Sequence, residues 1–155
     1  MEIQEFSWAY FDAIFEVVHT TIETIYPKYY PRSAVDFCLA WHSRENMQSL
    51  LPKEKTLVLL AENTPLGTCS LSGNEVKRLF VLPEYQGKGY GKMLLRETEK
   101  LLDTSLHNEL VLAASLGAVD FYRKAGYAWR DYKTIETAHG DYLCYLEMAR
   151  HCAVP

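Results

Sequence analysis

The chain has 155 residues, 48% of them hydrophobic and 23% charged, with a formal net charge of 16 − 20 = −4. A chain of that size buries about two thirds of the surface its unfolded form exposes, so it needs no disulfide or metal to fold, and its composition excludes a disordered or fibrous protein. The negative balance argues against a general nucleic-acid binder, and no apolar run approaches the ~20 residues of a membrane-spanning helix.

In chain order, Phe11, Ile14, Phe15, Val18, Ile22 and Ile25 recur at the spacing of one helical face, which predicts a helix over residues 8–25 with Ser7 as N-cap and Pro27 as its stop. Ser33 and Asp36 read as a capping box for a second helix, with Val35, Cys38, Leu39 and His42 on one face, and a third helix covers 44–51. The period then changes to that of strands. Residues 56–61, 66–71 and 75–82 form three adjacent strands, turned at Asn63-Thr64-Pro65 and at Ser72-Gly73-Asn74 and ended by Pro83. A helix over 87–103, a short strand over 109–114 and a helix over 115–125 follow, the last closed by Gly126 as a left-handed cap. Residues 127–137 and 142–148 flank His139-Gly140-Asp141 as a long hairpin. This order predicts one α+β domain over residues 1–155, with a single mixed sheet.

Cys38, Cys69, Cys144 and Cys152 stand far apart, without a C-x-x-C pair or a zinc-ligand spacing, and the five histidines form no short metal pattern. We expect reduced thiols and no metal. The first residues lack a basic then apolar leader, so the expected location is cytoplasmic. Lys77, Arg78, Lys88, Lys92, Arg96 and Lys100 cluster in the middle third, whereas the first 27 residues contain no lysine or arginine. A basic segment inside an acidic chain points to an anionic small ligand.

Three glycines in five residues, Gly87, Gly89 and Gly91, follow a strand and open a helix. Such a turn leaves backbone N–H groups bare and able to converge on phosphate oxygens, helped by the polarity of the helix start. A Walker A loop ending at Gly91-Lys92 would need glycine at 86 and serine or threonine at 93, where the chain has Gln86 and Met93. A dinucleotide-binding fingerprint fails at Lys92 or Leu94, depending on where it begins.

What matches is Gln86-Gly87-Lys88-Gly89-Tyr90-Gly91 as Q-x-x-G-x-G, preceded by Leu79, Phe80, Val81 and Pro83. This resembles motif A of the GNAT acetyltransferases. Residues 118–127, from Ala118 through Phe121, Tyr122 and Gly126 to Tyr127, resemble the family's A-x-x-F-Y-x-x-x-G-[FY] segment. The resemblance implies the GNAT fold, a mixed, mostly antiparallel β-sheet flanked by helices on both faces. It implies acetyl-CoA as co-substrate, with pyrophosphate on the loop of Gln86, Gly87, Lys88, Gly89, Tyr90, Gly91 and Lys92. The pantetheine arm would lie along Leu79, Phe80 and Val81, near Ser115 and Tyr122. Ser115 stands where many members have asparagine, and its hydroxyl keeps one group for that contact.

A protonated alkylamine has a pKa near 10.4, so presenting its free base at pH 7 costs about 4.6 kcal/mol and calls for a base. By resemblance to histone-acetylating members, Glu75, eleven residues before Gln86, is that base, acting through a water. The amide of Leu79 would bind the carbonyl oxygen as it gains charge, and Tyr122 would give a proton to the leaving thiolate. The expected activity is N-acetylation of a small-molecule or peptide amine, without nucleic-acid or membrane partners. The alternative is a non-catalytic acyl-CoA-binding sensor on the same fold. Tyr26, Tyr29, Tyr30, Trp41, His42, Tyr132 and His139 are candidates for the acceptor side, and the acidic balance favours a cationic acceptor. Dimers are common in the family, so a homodimer is a further expectation.

Overall fold

The computed structural model describes residues 1–152. In chain order they form β1 (Glu2–Glu5), α1 (Phe11–Ile25), α2 (Arg32–Trp41), α3 (Arg44–Leu50), β2 (Lys55–Ala61), β3 (Thr64–Ser72) and β4 (Glu75–Val81). Then come α4 (Tyr90–Glu99), β5 (Glu109–Ser115), α5 (Val119–Lys124), β6 (Ala128–Glu136) and β7 (Tyr142–His151). The strands make one seven-stranded sheet in the order β1-β2-β3-β4-β5-β7-β6. Neighbours are antiparallel except β4 and β5, which run parallel. The expected mixed, mostly antiparallel α+β sheet is therefore present.

Both faces of the sheet carry helices, and β2 shows why. Its side chains alternate: Leu57 and Leu59 join the cluster of Leu94, Leu95 and Tyr122 from α4 and α5, whereas Val58 and Leu60 join Ile14, Val18, Ile22 and Val35 from α1 and α2. A strand covered on both sides must be apolar throughout, which is the uninterrupted run seen in the sequence. The repeat of Ile14, Val18 and Ile22 buries those three residues completely.

Element boundaries shift for local reasons. Residues 8–10 form a 3-10 turn rather than the start of the first α-helix, with the Ser7 hydroxyl accepting from the Ala9 N–H. Ser33 and Asp36 form no capping box. Pro31 holds the N-cap position of α2, the Ser33 hydroxyl donates to Asp141 at 2.7 Å, and Asp36 pairs with Arg32. A tertiary bond that ties α2 to the β6–β7 turn has displaced the local one. The β2–β3 turn sits at Glu62 and Asn63, both at positive φ as a two-residue hairpin requires, and Pro65 lies inside β3 beside a register shift. The expected helix over 87–103 is confined to Tyr90–Glu99, and a 3-10 turn, Leu116–Ala118, precedes α5. β1 has no counterpart in the sequence reading, because Ile3 is its one apolar residue; it is held by antiparallel pairing with residues 57–60 of β2.

Gly67 marks where α4 meets the sheet. A Cβ at this position of β3 would lie 2.9 Å from the Phe80 carbonyl oxygen and 3.0 Å from Leu94 Cδ1. Because the nearest obstacle is backbone, Gly67→Ala is expected to destabilise the fold by about 1–3 kcal/mol, read as a lower urea midpoint at unchanged m-value.

Candidate active site

The site begins with an irregularity in β4. Lys77 pairs with Ser70 and Phe80 with Thr68, so Arg78 and Leu79 together stand opposite Cys69. Arg78 has φ 51, in the left-handed region that costs a residue with a Cβ about 1–2 kcal/mol. Its guanidinium pairs with Glu54, and both side chains are only 4% exposed. The extra residue reverses the facing of the strand. Val76 and Val81, five positions apart, both pack in the cluster under α4 and α5, while Phe80 packs with α1 and α2.

Past the bulge, β4 also parts from β5. The two strands pair only at Glu75↔Val111 and Val76↔Leu112, and Leu79 has a register partner on neither side. From Lys77 onward, the edge of β4 turned toward β5 has no strand beside it. Two cavities of about 490 and 430 Å³ open into this gap. They meet at six shared residues: Tyr26, Leu79, Phe80, Ser115, Ala118 and Tyr122.

The first cavity runs along the glycine loop. The Gln86 side-chain amide donates to the Val81 carbonyl at 2.9 Å and so fastens the loop to the end of β4; the Thr21 hydroxyl, which donates to the Val17 carbonyl at 2.7 Å, lies 3.3 Å from the same Val81 oxygen. Gly89 is the N-cap of α4 at φ 86 and Gly87 lies at φ 74, so the opening N–H groups of α4 carry no side-chain cap. A Cβ on either glycine would meet no protein atom within 4 Å, which leaves open space beside those amides. Gly91 serves packing instead, since a Cβ there would touch the Phe121 ring at 3.4 Å. Lys92 and Lys124 bring positive charge to the wall.

The second cavity is built by α2, β4 and β7. The Tyr30 hydroxyl donates to the Cys144 carbonyl at 2.7 Å and accepts from the Leu116 N–H at 2.8 Å, tying the α1–α2 link to β7 and to the turn after β5. His42 Nδ1 donates to the Cys38 carbonyl at 2.9 Å, which leaves Nε2 as the accepting nitrogen of a ring that lines the cavity. Burial is the main influence lowering the His42 pKa to about 4; Arg78 and His19 add to it, and the Cys38 carbonyl opposes it.

At the junction, Tyr122 is enclosed. Burial pushes its phenol well above the usual tyrosine range, with Cys69, Tyr26 and Tyr127 adding to the shift, so it holds its proton at neutral pH. Burial also raises Tyr26, and a hydrogen bond with Ser115 partly offsets the rise. Glu75, at the start of β4, lines the second cavity with its carboxylate 3.3 Å from Lys77 Nζ.

The structure therefore gathers most of the expected residues. Leu79, Phe80, Val81, Gln86, Gly87, Gly89, Gly91, Lys92, Ser115 and Tyr122 line the first cavity, and Glu75, Leu79 and Tyr122 line the second. Lys88 and Tyr90 lie outside the cavity walls, with Lys88 Nζ 5.0 Å from the centre of the Tyr85 ring. The basic cluster is not one patch: Lys92 lines the first cavity, Lys77 and Arg78 line the second, and Arg96 and Lys100 line neither. On the acceptor side Tyr26, Tyr30, Trp41 and His42 are in place, but Tyr29, Tyr132 and His139 are not, and Tyr29 instead packs on Gly117. Sequence reasoning missed Phe37, Leu143 and Tyr145 on the second cavity and Lys124 on the first. The first three were signalled by period alone: Phe37 lies one turn before Trp41, and Leu143 and Tyr145 alternate along β7. Among the described residues no three His, Cys, Asp or Glu side chains converge as a metal site would require.

A family model described as an acetyltransferase (GNAT) domain matches residues 25–148. The fold is similar to the GCN5-related N-acetyltransferase from Rhodopseudomonas palustris, a structure also described as a class-II aminotransferase, with 22% identity over 97% of this chain and 95% of that one and a TM-score of 0.87. It is also similar to the PaiA N-acetyltransferase of Thermoplasma acidophilum in complex with coenzyme A, with 22% identity over 97% and 98% of the two chains and a TM-score of 0.73. YncA of Salmonella typhimurium, solved with its cofactor acetyl-CoA, shares 19% identity over 100% and 97% at a TM-score of 0.68. At these identities the likeness is one of fold. Comparison with curated proteins by sequence gives no match.

Two stability measurements probe this geometry. Glu54→Gln leaves the Arg78 charge buried without a counter-ion and is expected to cost about 3–5 kcal/mol in chemical unfolding. His42, with an ordinary value of 6.5 and a folded value of about 4, binds fewer protons folded than unfolded. Its contribution to stability is therefore whole above pH 6.5 and is lost as pH falls toward 4. Unfolding free energy should drop more steeply between pH 7 and pH 4.5 in the wild type than in His42→Gln.

Proposed function

The chain belongs to the GNAT acetyltransferase family, and from that premise we propose that, as one cytoplasmic domain over residues 1–155, it transfers the acetyl group of acetyl-CoA to a primary amine by direct attack. The observation that carries this reading is the meeting of the two cavities at Leu79, Ser115 and Tyr122. A donor channel under an uncapped glycine loop and an acceptor cleft reach the same groups from opposite ends.

The first cavity suits the donor. Open space beside Gly87 and Gly89, the bare first turn of α4 and the charges of Lys92 and Lys124 favour a pyrophosphate, and the unpaired edge of β4 can bond an extended arm as another strand would. When bound, acetyl-CoA supplies a thioester whose carbonyl carbon takes the amine and whose sulfur leaves as thiolate. The Leu79 N–H donates to the carbonyl oxygen as negative charge develops there, a contribution of about 3 kcal/mol for one fixed donor. Tyr122, kept protonated by burial, gives its proton to the sulfur and regains one from solvent. Glu75 takes the proton shed by the amine through a water, and its partly exposed position lets that proton pass on to solvent.

Calorimetry with acetyl-CoA should give one-to-one binding, with none for ATP or NAD. Tyr122→Phe is expected to lower kcat on the order of 100-fold at unchanged acetyl-CoA affinity, and Glu75→Gln to lower kcat with a changed pH profile. Full activity in both variants would remove these two roles, and acetyl-CoA binding without turnover of any amine would favour the sensor over the enzyme.

A further inference from the structure

The wall of the acceptor cleft is aromatic, although the chain as a whole is acidic. Phe37 and Trp41 of α2 stack with ring centres 6.3 Å apart and planes 20° from parallel, and Trp41 is 59% exposed at this cleft. An indole left in water beside an apolar cleft gains by having a flat apolar group laid against it. Glu75 is the single carboxylate among the lining side chains, and it is already next to Lys77. Arg78 also lines the wall with its charge already paired to Glu54, and it adds to the burial that disfavours a positive charge on His42. The net charge of −4 therefore does not reach this cleft.

We propose that the acceptor is an arylalkylamine: a primary amine with one positive charge, carried on a flat apolar body that lies against Trp41 and Phe37. Its nitrogen lies in the second cavity beside the junction, and Glu75 and the Nε2 of His42 on that cavity's wall accept its N–H bonds. His42 is placed for this by its Nδ1 bond to Cys38 and by its edge-on contact with Phe80, one of the junction residues, at 5.5 Å between ring centres. The proposal rests on the acetyl-transfer reading above and adds the substrate class to it. One ammonium and one acetyl thioester give the N-acetyl amide, coenzyme A as free thiol and one proton released to solvent. A polyamine or an aminoglycoside carries several ammonium groups, whereas the one carboxylate on the wall, Glu75, already stands beside Lys77, and Arg78 is paired with Glu54, so the ammonium groups left over would be desolvated without partners.

The test is thiol release with 2-phenylethylamine, tryptamine, spermidine and kanamycin, run beside calorimetry with acetyl-CoA. The expected result is a kcat/KM at least about 100-fold higher for the two aromatic amines. Trp41→Ala should lower that value about tenfold and Trp41→Phe should restore most of it, with acetyl-CoA affinity the same in all three proteins. Spermidine or kanamycin turned over as well as the aromatic amines, or an unchanged arylalkylamine rate in Trp41→Ala, overturns the substrate class and leaves acetyl transfer standing. Acetyl-CoA bound without turnover of either aromatic amine also overturns the class. Failure to bind acetyl-CoA removes both readings.

Discussion

Much of this architecture depends on the ion pair between Glu54 and Arg78. Buried ion pairs are seldom the cheapest way to stabilise a fold, since the attraction must first offset the loss of hydration of both charges. What this pair does is fix a position. An arginine in the left-handed region would relax if its side chain were free, and relaxation would remove the extra residue from β4. The strand would then stay in phase past Lys77, with Val81 turned away from the cluster under α4. Held as it is, the bulge moves Leu79 out of the ladder and lets β4 separate from β5 after two paired residues. Both cavities exist because of that separation.

The two ends of the site are made by different physics, and they differ in how much of them can be read from sequence. The donor end is a backbone structure. Positive φ at Gly87 and Gly89, the uncapped start of α4 and the brace from Gln86 to the Val81 carbonyl all arise within about ten residues, so composition and spacing reveal them. The segment ending in Gly126 and Tyr127 is equally local: Gly126 takes φ 94 to close α5, which lets Tyr127 bury its ring and bond Glu99 at 2.9 Å. The central strands are legible for a related reason, since burial on both faces leaves them uniformly apolar.

The acceptor end was far less legible because it is a meeting of side chains from distant segments. Ser33 looks like a helix cap until Asp141, more than a hundred residues away, offers a better bond. Tyr30 is one tyrosine in an aromatic loop until Cys144 and Leu116 are seen to take both ends of its hydroxyl. Arg78 is the clearest case. In sequence it belongs to a basic cluster suited to an anion, but in the fold its charge is buried against Glu54 and its side chain forms part of the wall of the second cavity. Local period says which face of a strand a residue should take, and a bulge held by a long-range ion pair is what period cannot anticipate.

Enclosure connects these observations to chemistry. Tyr122, Tyr26 and His42 stand around or beside the cavity junction, and burial is the largest influence on each, always toward the neutral form. The phenol keeps its proton, and the imidazole stays a hydrogen-bond acceptor instead of adding a positive charge beside Arg78. The same exclusion of water strengthens a backbone N–H directed at a developing negative charge, because less solvent competes for it. Glu75 lies at the other extreme, partly exposed and 3.3 Å from Lys77 at the start of β4. The junction is thus neutral and enclosed, and Glu75, on the paired part of β4 before the bulge, is the one carboxylate on the wall of the second cavity.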